Sequence, residues 1–468
     1  MRPFSTPGAA SSPRRRQSPR LQVMPAPAAT LRTRYELSEL GSVAEEYLLS
    51  GEARAFIAST QSQCDERPEA ASIAPYRTRI VVFRPIDLDR FSGTVVVEWL
   101  NCHIGMDTPP QWLRMHRHIA RSGMIWVGVS AQQAGIDGIA GTASHRHLKA
   151  VDFERYRALQ HPGDAYAFDI FTDAARQVAA GKLSFRAPDC TLATGSSLSA
   201  RFLSTYINQI SEAQDVFGGF LLTGRHKSAA TLAGQSICGG TVAITAKTNA
   251  PVFVLQSETD IFGRMSSYAI RQPDTSTYRL WETASAAHVD SYMIGVGNED
   301  NGQARPDRLV ASYALHELSH IPLCQAMNSS PAFHYVHHAA LHHLQAWVTD
   351  GTPPPRAQRL EGKPLTGLAR DSWGIARGGV RTAWSDCPSL VWSGDNAETG
   401  EAERLFGATR VSRAMLAARY PGGERDYIAQ FDKTARHSIE AGFMLEADAS
   451  EARELAGAIF RKASTGHW

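Results

Sequence analysis

The chain has no C-x-x-C pair, and its six cysteines (Cys64, Cys102, Cys190, Cys238, Cys324, Cys387) are scattered over 468 residues. That excludes a zinc ribbon and a disulfide framework. No run of 18 apolar residues occurs, so no membrane span is expected. The N-terminal stretch lacks the 7–15-residue apolar core of a secretory signal. It also lacks acid: the first 35 residues hold seven arginines and neither Asp nor Glu. Rich in Pro, Ser and Ala as well, residues 1–34 read as a disordered basic leader, with an organelle transit peptide as the alternative. Setting those seven aside from the 48 Lys and Arg leaves 41 against 46 Asp and Glu, so the remaining body is mildly acidic. No basic face and no base-reading motif is left to engage nucleic acid. The expected compartment is the cytoplasm.

At 43% hydrophobic and 20% charged, the body can bury a sizeable core. From residue 79 short apolar runs alternate with helix-length amphipathic stretches. The runs are "RIVVFRP", "TVVVEWL", "MIWVGVS", "TLATG", "VFGGFLLTG", "PVFVLQS" and "TYRLWETA". Several are apolar throughout, as expected of strands covered on both faces. Strands separated by helical patterns predict βαβ units and a mostly parallel sheet. No internal repeat is found. A single domain is expected over 35–460, with a core at about 79–350. A mixed helical and loop extension over about 351–460 packs on it.

The most conspicuous motif is HELSH, residues 316–320, within a region holding seven histidines from His316 to His343. H-E-x-x-H on a helix is a zinc peptidase pattern. The stretch "LVASYALHELSH" reads as helical, but a third ligand is hard to supply. A metzincin would continue with Gly and His where this chain has Leu323 and Ala326. From Ile321 to Leu360 there is no Glu, and Asp350 is the lone acid. His334, His337 and His338 are the remaining nitrogen donors.

A less conspicuous stretch fares better. In "TLATGSSLSARFLSTYINQI", an apolar run ends at Gly195, Ser197 follows, and a helix begins. This is the strand–turn–helix context of a nucleophile elbow, where residues two before and two after the serine must be small. They are Gly195 and Ser199. Ser197 needs a base, and the base needs an acid to orient it. Asp260 follows the run "PVFVLQS" by three residues, and His288 lies in the small-residue loop after "TYRLWETA". Both fall past strand ends, at the carboxyl edge where open α/β sheets place their sites. Asp260 is the expected acid, Glu258 the alternative, and Asp290 a local hydrogen-bonding residue. Two backbone N–H groups must hold the oxyanion. One is expected from Leu198. The other is expected from Asn101 or Cys102 in the loop "NCHIGMD".

The order and wording of "APYRTRIVVFRP", "SGTVVVEWLN", "LQHPGDAYAFDIF", "VLQSETD", "RLWETASAAHVDSY", "WVTDGTPPP" and "RDSWGIARGGVRT" resemble the alpha/beta hydrolase domain family of bacterial-type serine hydrolases. The resemblance runs from about Tyr35 to about Gly457. It implies the α/β-hydrolase fold, a mostly parallel sheet flanked by helices, with the C-terminal extension in the same unit. It implies the roles of Ser197, Asp260 and His288. The chain departs from its relatives at Leu198, where Gln is usual, and at Cys102-His103-Ile104, where smaller residues stand. Both changes flank the oxyanion loop and bear on substrate preference. The combined expectation is a serine esterase acting on a small-molecule ester through an acyl-enzyme, with no cofactor and no metal. An acyltransferase with the same triad is the alternative. A zinc peptidase through HELSH and a non-catalytic hydrolase-fold protein stand behind it.

Overall fold

In the computed structural model the described residues are 18–25, 33–57, 69–141, 145–211, 215–235, 240–245, 249–314, 317–318, 321–322, 326–395, 403–466 and 468. Each apolar run becomes a strand. The strands are β1 (Arg20–Val23), β2 (Ser42–Ile57), β3 (Glu69–Pro85), β4 (Thr94–Trp99) and β5 (Ile125–Val129). They continue with β6 (Cys190–Ser196), β7 (Gly219–Thr223), β8 (Val252–Ser257) and β9 (Tyr278–Thr283). They form one sheet in the order β1-β2-β3-β5-β4-β6-β7-β8-β9. From β5 to β9 every pairing is parallel, and β1, β2 and β3 add an antiparallel wing. Every residue of β4 to β9 is buried, the physical basis of their unbroken apolar runs.

The main helices are α1 (Pro110–Arg121), α2 (Ala167–Ala179), α3 (Leu198–Thr205, continuing as a π turn over Tyr206–Ile210), α4 (Pro306–Tyr313), α5 (Ala332–Asp350), α6 (Gly423–Glu440) and α7 (Ala449–Ser464). Side chains of α2 and α3 such as Phe168, Phe171 and Phe202 pack with Val95, Val97 and Ala193 on one face of the sheet. On the other, Trp112 and Met115 of α1 and Phe333 and Val336 of α5 meet Val96, Leu192 and Phe253. The alternation of Val95, Val96 and Val97 between these two cores is the period-2 signature of a strand covered on both sides. A further core joins Tyr313, Trp384, Trp392, Tyr427, Phe431 and Phe460, so the C-terminal segment shares its packing with α4 and α5.

Two expectations need correction here. Arg20–Val23 falls in the stretch read as a disordered leader, yet it pairs antiparallel with β2, from Arg20 opposite Ser50 to Val23 opposite Tyr47. β2 itself is masked in the sequence by charge. Glu46, 2% exposed, accepts from Tyr156 Oη at 2.7 Å and Arg155 Nε at 2.8 Å, and Arg79 Nη1 lies 3.6 Å away. Buried ions that satisfy one another break the apolar pattern without breaking the strand.

The second correction concerns HELSH. The helix ends at Tyr313, and Glu317–Leu318 pairs antiparallel with Ile321–Pro322. An extended pair replaces the helical face that would align residues i and i+4. His316 and His320 themselves lie outside the described residues. His334, His337 and His338 are buried in α5. His334 stacks on Tyr292 with ring centroids 3.8 Å apart, and His338 Nδ1 lies 3.1 Å from Asp448 Oδ1. His337 Nδ1–H donates to Phe333 O at 2.7 Å, and Thr223 Oγ1 lies 3.3 Å from its Nε2.

Burial holds His116, His118, His334 and His337 below their ordinary value of 6.5. Above that pH they are neutral whether folded or not. Below it the unfolded chain takes up protons that the native interior resists, and stability falls. Each such group contributes up to about 1.4 kcal/mol per pH unit. The urea midpoint is therefore expected to drop between pH 7 and pH 5, by less than the four histidines alone would give because buried Glu98, pushed up to about 8, acts in the opposite sense.

Candidate functional site

Ser197 occupies the single residue between the end of β6 at Ser196 and the start of α3 at Leu198. Its backbone is at φ 57° and ψ −113°, a region that costs an L-residue of order 1–3 kcal/mol. The turn is held by Ser197 N–H donating to Thr223 O of β7 at 2.9 Å. The smallness rule is met physically. A Cβ on Gly195 would stand 2.8 Å from Leu203 Cδ1 and 3.0 Å from Ser199 Cβ. Glycine at 195 is what allows serine rather than glycine at 199.

Asp260 sits in the helical turn Glu258–Ile261 that follows β8. Ser257 caps this turn, its N–H and Oγ–H donating to Asp260 Oδ2 at 2.7 and 2.8 Å. The other oxygen, Oδ1, receives His288 Nδ1–H at 2.6 Å. With Nδ1 protonated, Nε2 carries the lone pair, and Ser197 Oγ lies 3.0 Å from it. Asp260 is fully buried and His288 is 7% exposed. The structure thus brings Ser197, Asp260 and His288 together over 91 residues of sequence.

The neighbouring acids have other partners. Glu258 Oε1 accepts from Ser285 N–H at 2.6 Å, and its Oε2 from Gly394 N–H at 2.9 Å and Arg370 Nη2 at 3.1 Å. It ties the acid loop, the histidine loop and the C-terminal segment together. Asp290 caps the turn Ser291–Ile294 by accepting from Met293 N–H at 2.8 Å.

In the loop after β4 the two expected oxyanion donors separate. Asn101 N–H donates to Thr108 O at 2.9 Å, so it is already engaged. Its side chain works instead, with Nδ2 donating to Ser196 O at 2.8 Å and Oδ1 accepting from His103 N–H at 2.9 Å. Cys102 is the residue of this pair whose amide is engaged by no backbone or carboxamide oxygen among the described residues. Leu198 opens α3, where first-turn amides lack intrahelical acceptors and the helix dipole favours negative charge.

Several residues that position the site carry no sequence signal of their own. Arg114 of α1 is fully buried, and its Nη2 donates to His288 O at 2.8 Å while lying 3.8 Å from Asp290 Oδ2. Burial depresses its guanidinium below the ordinary value, opposed by Asp290, Asp260 and Glu98. Glu98 of β4 accepts from Gln111 and Trp112 N–H at 2.9 Å each, and burial still pushes its carboxyl up to about 8. Thr259 Oγ1 accepts from His288 N–H at 3.1 Å. Gly224, at φ 60°, passes beneath the imidazole, and a Cβ there would stand 2.7 Å from His288 Cε1. Gly224→Ala is expected to displace that ring from Ser197 and lower any turnover at this site about 100-fold or more. Far-UV circular dichroism should stay near wild type.

A nine-stranded, mostly parallel sheet with helices on both faces, and a serine at the sharp turn after a central strand, defines an α/β hydrolase. The chain belongs to the alpha/beta hydrolase domain family, whose pattern it matches over residues 10–454. No curated protein matches it. Solved structures similar to it include an α/β serine hydrolase from Xanthomonas campestris described as lacking a lid. That protein is 13% identical over 44% of this chain and 78% of the other, with a TM-score of 0.27. A cold-adapted esterase from an Arctic intertidal metagenomic library is 11% identical over 51% of this chain and 84% of that one, with a TM-score of 0.29. Esterase Est22 is 10% identical over 52% and 72%, with a TM-score of 0.29. No helix among the described residues is long and apolar enough to cross a membrane.

Proposed function

We propose that the chain is a serine hydrolase that cleaves a carboxylic ester through an acyl-enzyme. The observation that carries this is the relay of 3.0 Å from Ser197 Oγ to His288 Nε2 and 2.6 Å from His288 Nδ1 to Asp260 Oδ1. His288 takes the proton of Ser197 as Oγ attacks the ester carbonyl. Asp260 fixes the imidazole tautomer and stabilises the imidazolium. The amides of Leu198 and Cys102 receive the oxyanion, and Asn101 braces that loop against the strand end at Ser196. His288 then protonates the departing alcohol. Water repeats the sequence on the acyl-enzyme, releasing acid and regenerating Ser197.

The test is labelling of the full chain with a fluorophosphonate, followed by mass-spectrometric mapping of the modified residue. Modification at Ser197, with ester turnover insensitive to a chelator, is the expected result. Modification elsewhere, or turnover that a chelator abolishes, would sink the reading.

A further inference from the structure

The histidine loop closes over a buried ion pair. Arg114 reaches it from α1 with a side chain wholly excluded from solvent, and Asp290, two residues past His288, has a side chain 1% exposed. The guanidinium meets the loop at two points. Its Nη2 donates to His288 O at 2.8 Å and stands 3.8 Å from Asp290 Oδ2. Neither charge is spent on other hydrogen bonds: among the described residues Arg114 Nε and Nη1 and Asp290 Oδ2 have no hydrogen-bond partner. The guanidinium lies over the Phe333 ring, 4.9 Å from its centroid. Asp290 Oδ1 accepts from Met293 N–H at 2.8 Å. Holding one carbonyl needs only a neutral donor. A buried cation in that place is costly unless it is paired, and an arginine keeps its proton there. Burial works against both charges, and each is the main counterweight to the other's burial.

The chemistry of the loop gives the pair a use. A cation nearby opposes the imidazolium that forms when His288 takes the serine proton, and an anion favours it. In a water-excluded site one unit charge a few ångströms away shifts that balance by about tenfold, one pH unit. The other ionisable groups around the ring are Asp260, bonded to Nδ1, and His103 on the loop after β4. Glu98 of β4 and His337 of α5 act on Arg114 from behind. Glu258 of the acid loop is matched by Arg370 at 3.1 Å.

We propose that Arg114 and Asp290 are positioning residues for His288 whose opposite charges balance at the imidazole. The arginine holds the ring through its backbone carbonyl and opposes the imidazolium. The aspartate offsets that charge, so the pair sets the pH range in which Ser197 has a base. This rests on the serine-hydrolase reading of the site.

The experiment follows the rate at which a fluorophosphonate inactivates the full chain from about pH 5 to pH 9, the window in which a histidine base titrates. Modification at Ser197 is counted by mass spectrometry. Arg114→Gln keeps an N–H group for the carbonyl and removes the charge, so the midpoint of the acid limb should rise by about one unit. Asp290→Asn keeps an acceptor for Met293 N–H and removes the opposite charge, so the midpoint should fall by about one unit. The double variant should return close to the wild-type midpoint, and Arg114→Lys should stay near it. A merely structural role would slow every variant and leave the midpoint in place. Midpoints that do not move, or that move the same way in both single variants, overturn the proposal and leave the hydrolase reading standing. If Arg114→Gln does not fold, Asp290→Asn decides alone, and a midpoint that fails to fall overturns the proposal. Wild-type labelling absent, or at a residue other than Ser197, overturns both.

Discussion

Replacing Ser197 with alanine should lower kcat/KM on an activated short-chain ester by on the order of 10⁴–10⁶, leaving only the contribution of substrate binding and the oxyanion donors. The expected fall is so large because in the proposed mechanism the groups act as a unit. His288 has no proton to take once Oγ is gone, and its hydrogen bond to Asp260 then orients a base without a task. Asp260→Asn tests the same unit from its other end. An amide there can present its NH2 to Nδ1 and select the wrong tautomer, with an expected loss of about 10⁴. Steady-state kinetics on both variants, beside their melting curves, separates lost chemistry from lost fold. Retention of most activity by Asp260→Asn would move the acid elsewhere, and Glu258 would be the next residue to test.

Glu258→Ala should act differently, through stability. Three donors converge on this carboxylate, from Ser285, Gly394 and Arg370, and the residue is 2% exposed. Removing it leaves two buried amides without an acceptor and takes from Arg370 its carboxylate partner, though Gly374 O and Ser393 Oγ still accept from the guanidinium, a change that costs about 3 kcal/mol. The urea midpoint should fall accordingly, and activity should fall with it because both loops bearing Asp260 and His288 lose their tie. Glu258→Gln keeps one acceptor oxygen and should recover part of the loss. A Glu258→Ala protein as stable as wild type but inactive would indicate a chemical role and contradict this assignment.

Much of the arrangement was legible in the chain because it is local. The strands after residue 79 announce themselves by being apolar throughout. The serine, the acid and the histidine each follow such a run, in an order one fold uses. What was not legible depends on partners far away in sequence. Arg114 reads as the polar face of an amphipathic helix, yet the carbonyl it serves is 174 residues distant. Gly224 only closes the apolar run VFGGFLLTG in the sequence, and its necessity comes from the ring of His288. Asn101 reads as an oxyanion donor until the bond of its amide to Thr108 O is seen. β2 hides because Glu46 looks solvated and is instead paired inside. HELSH misleads in the opposite sense, since five letters suggest a helical face where Glu317–Leu318 is extended.

The histidine loop has a dependence that reaches beyond the finished protein. Val289 N–H donates to Leu405 O at 2.9 Å, Ala284 N–H to Val380 O at 3.0 Å, and Gly394 N–H to Glu258 at 2.9 Å. These braces are synthesised long after the residues they support: Leu405 follows Ser197 by 208 positions. At ribosomal rates of about 5–20 residues per second, that interval is roughly 10 to 40 s. Throughout it the loop bearing His288 lacks the braces from Val380, Gly394 and Leu405. On the proposed hydrolase reading, competence at this site therefore arrives late in translation.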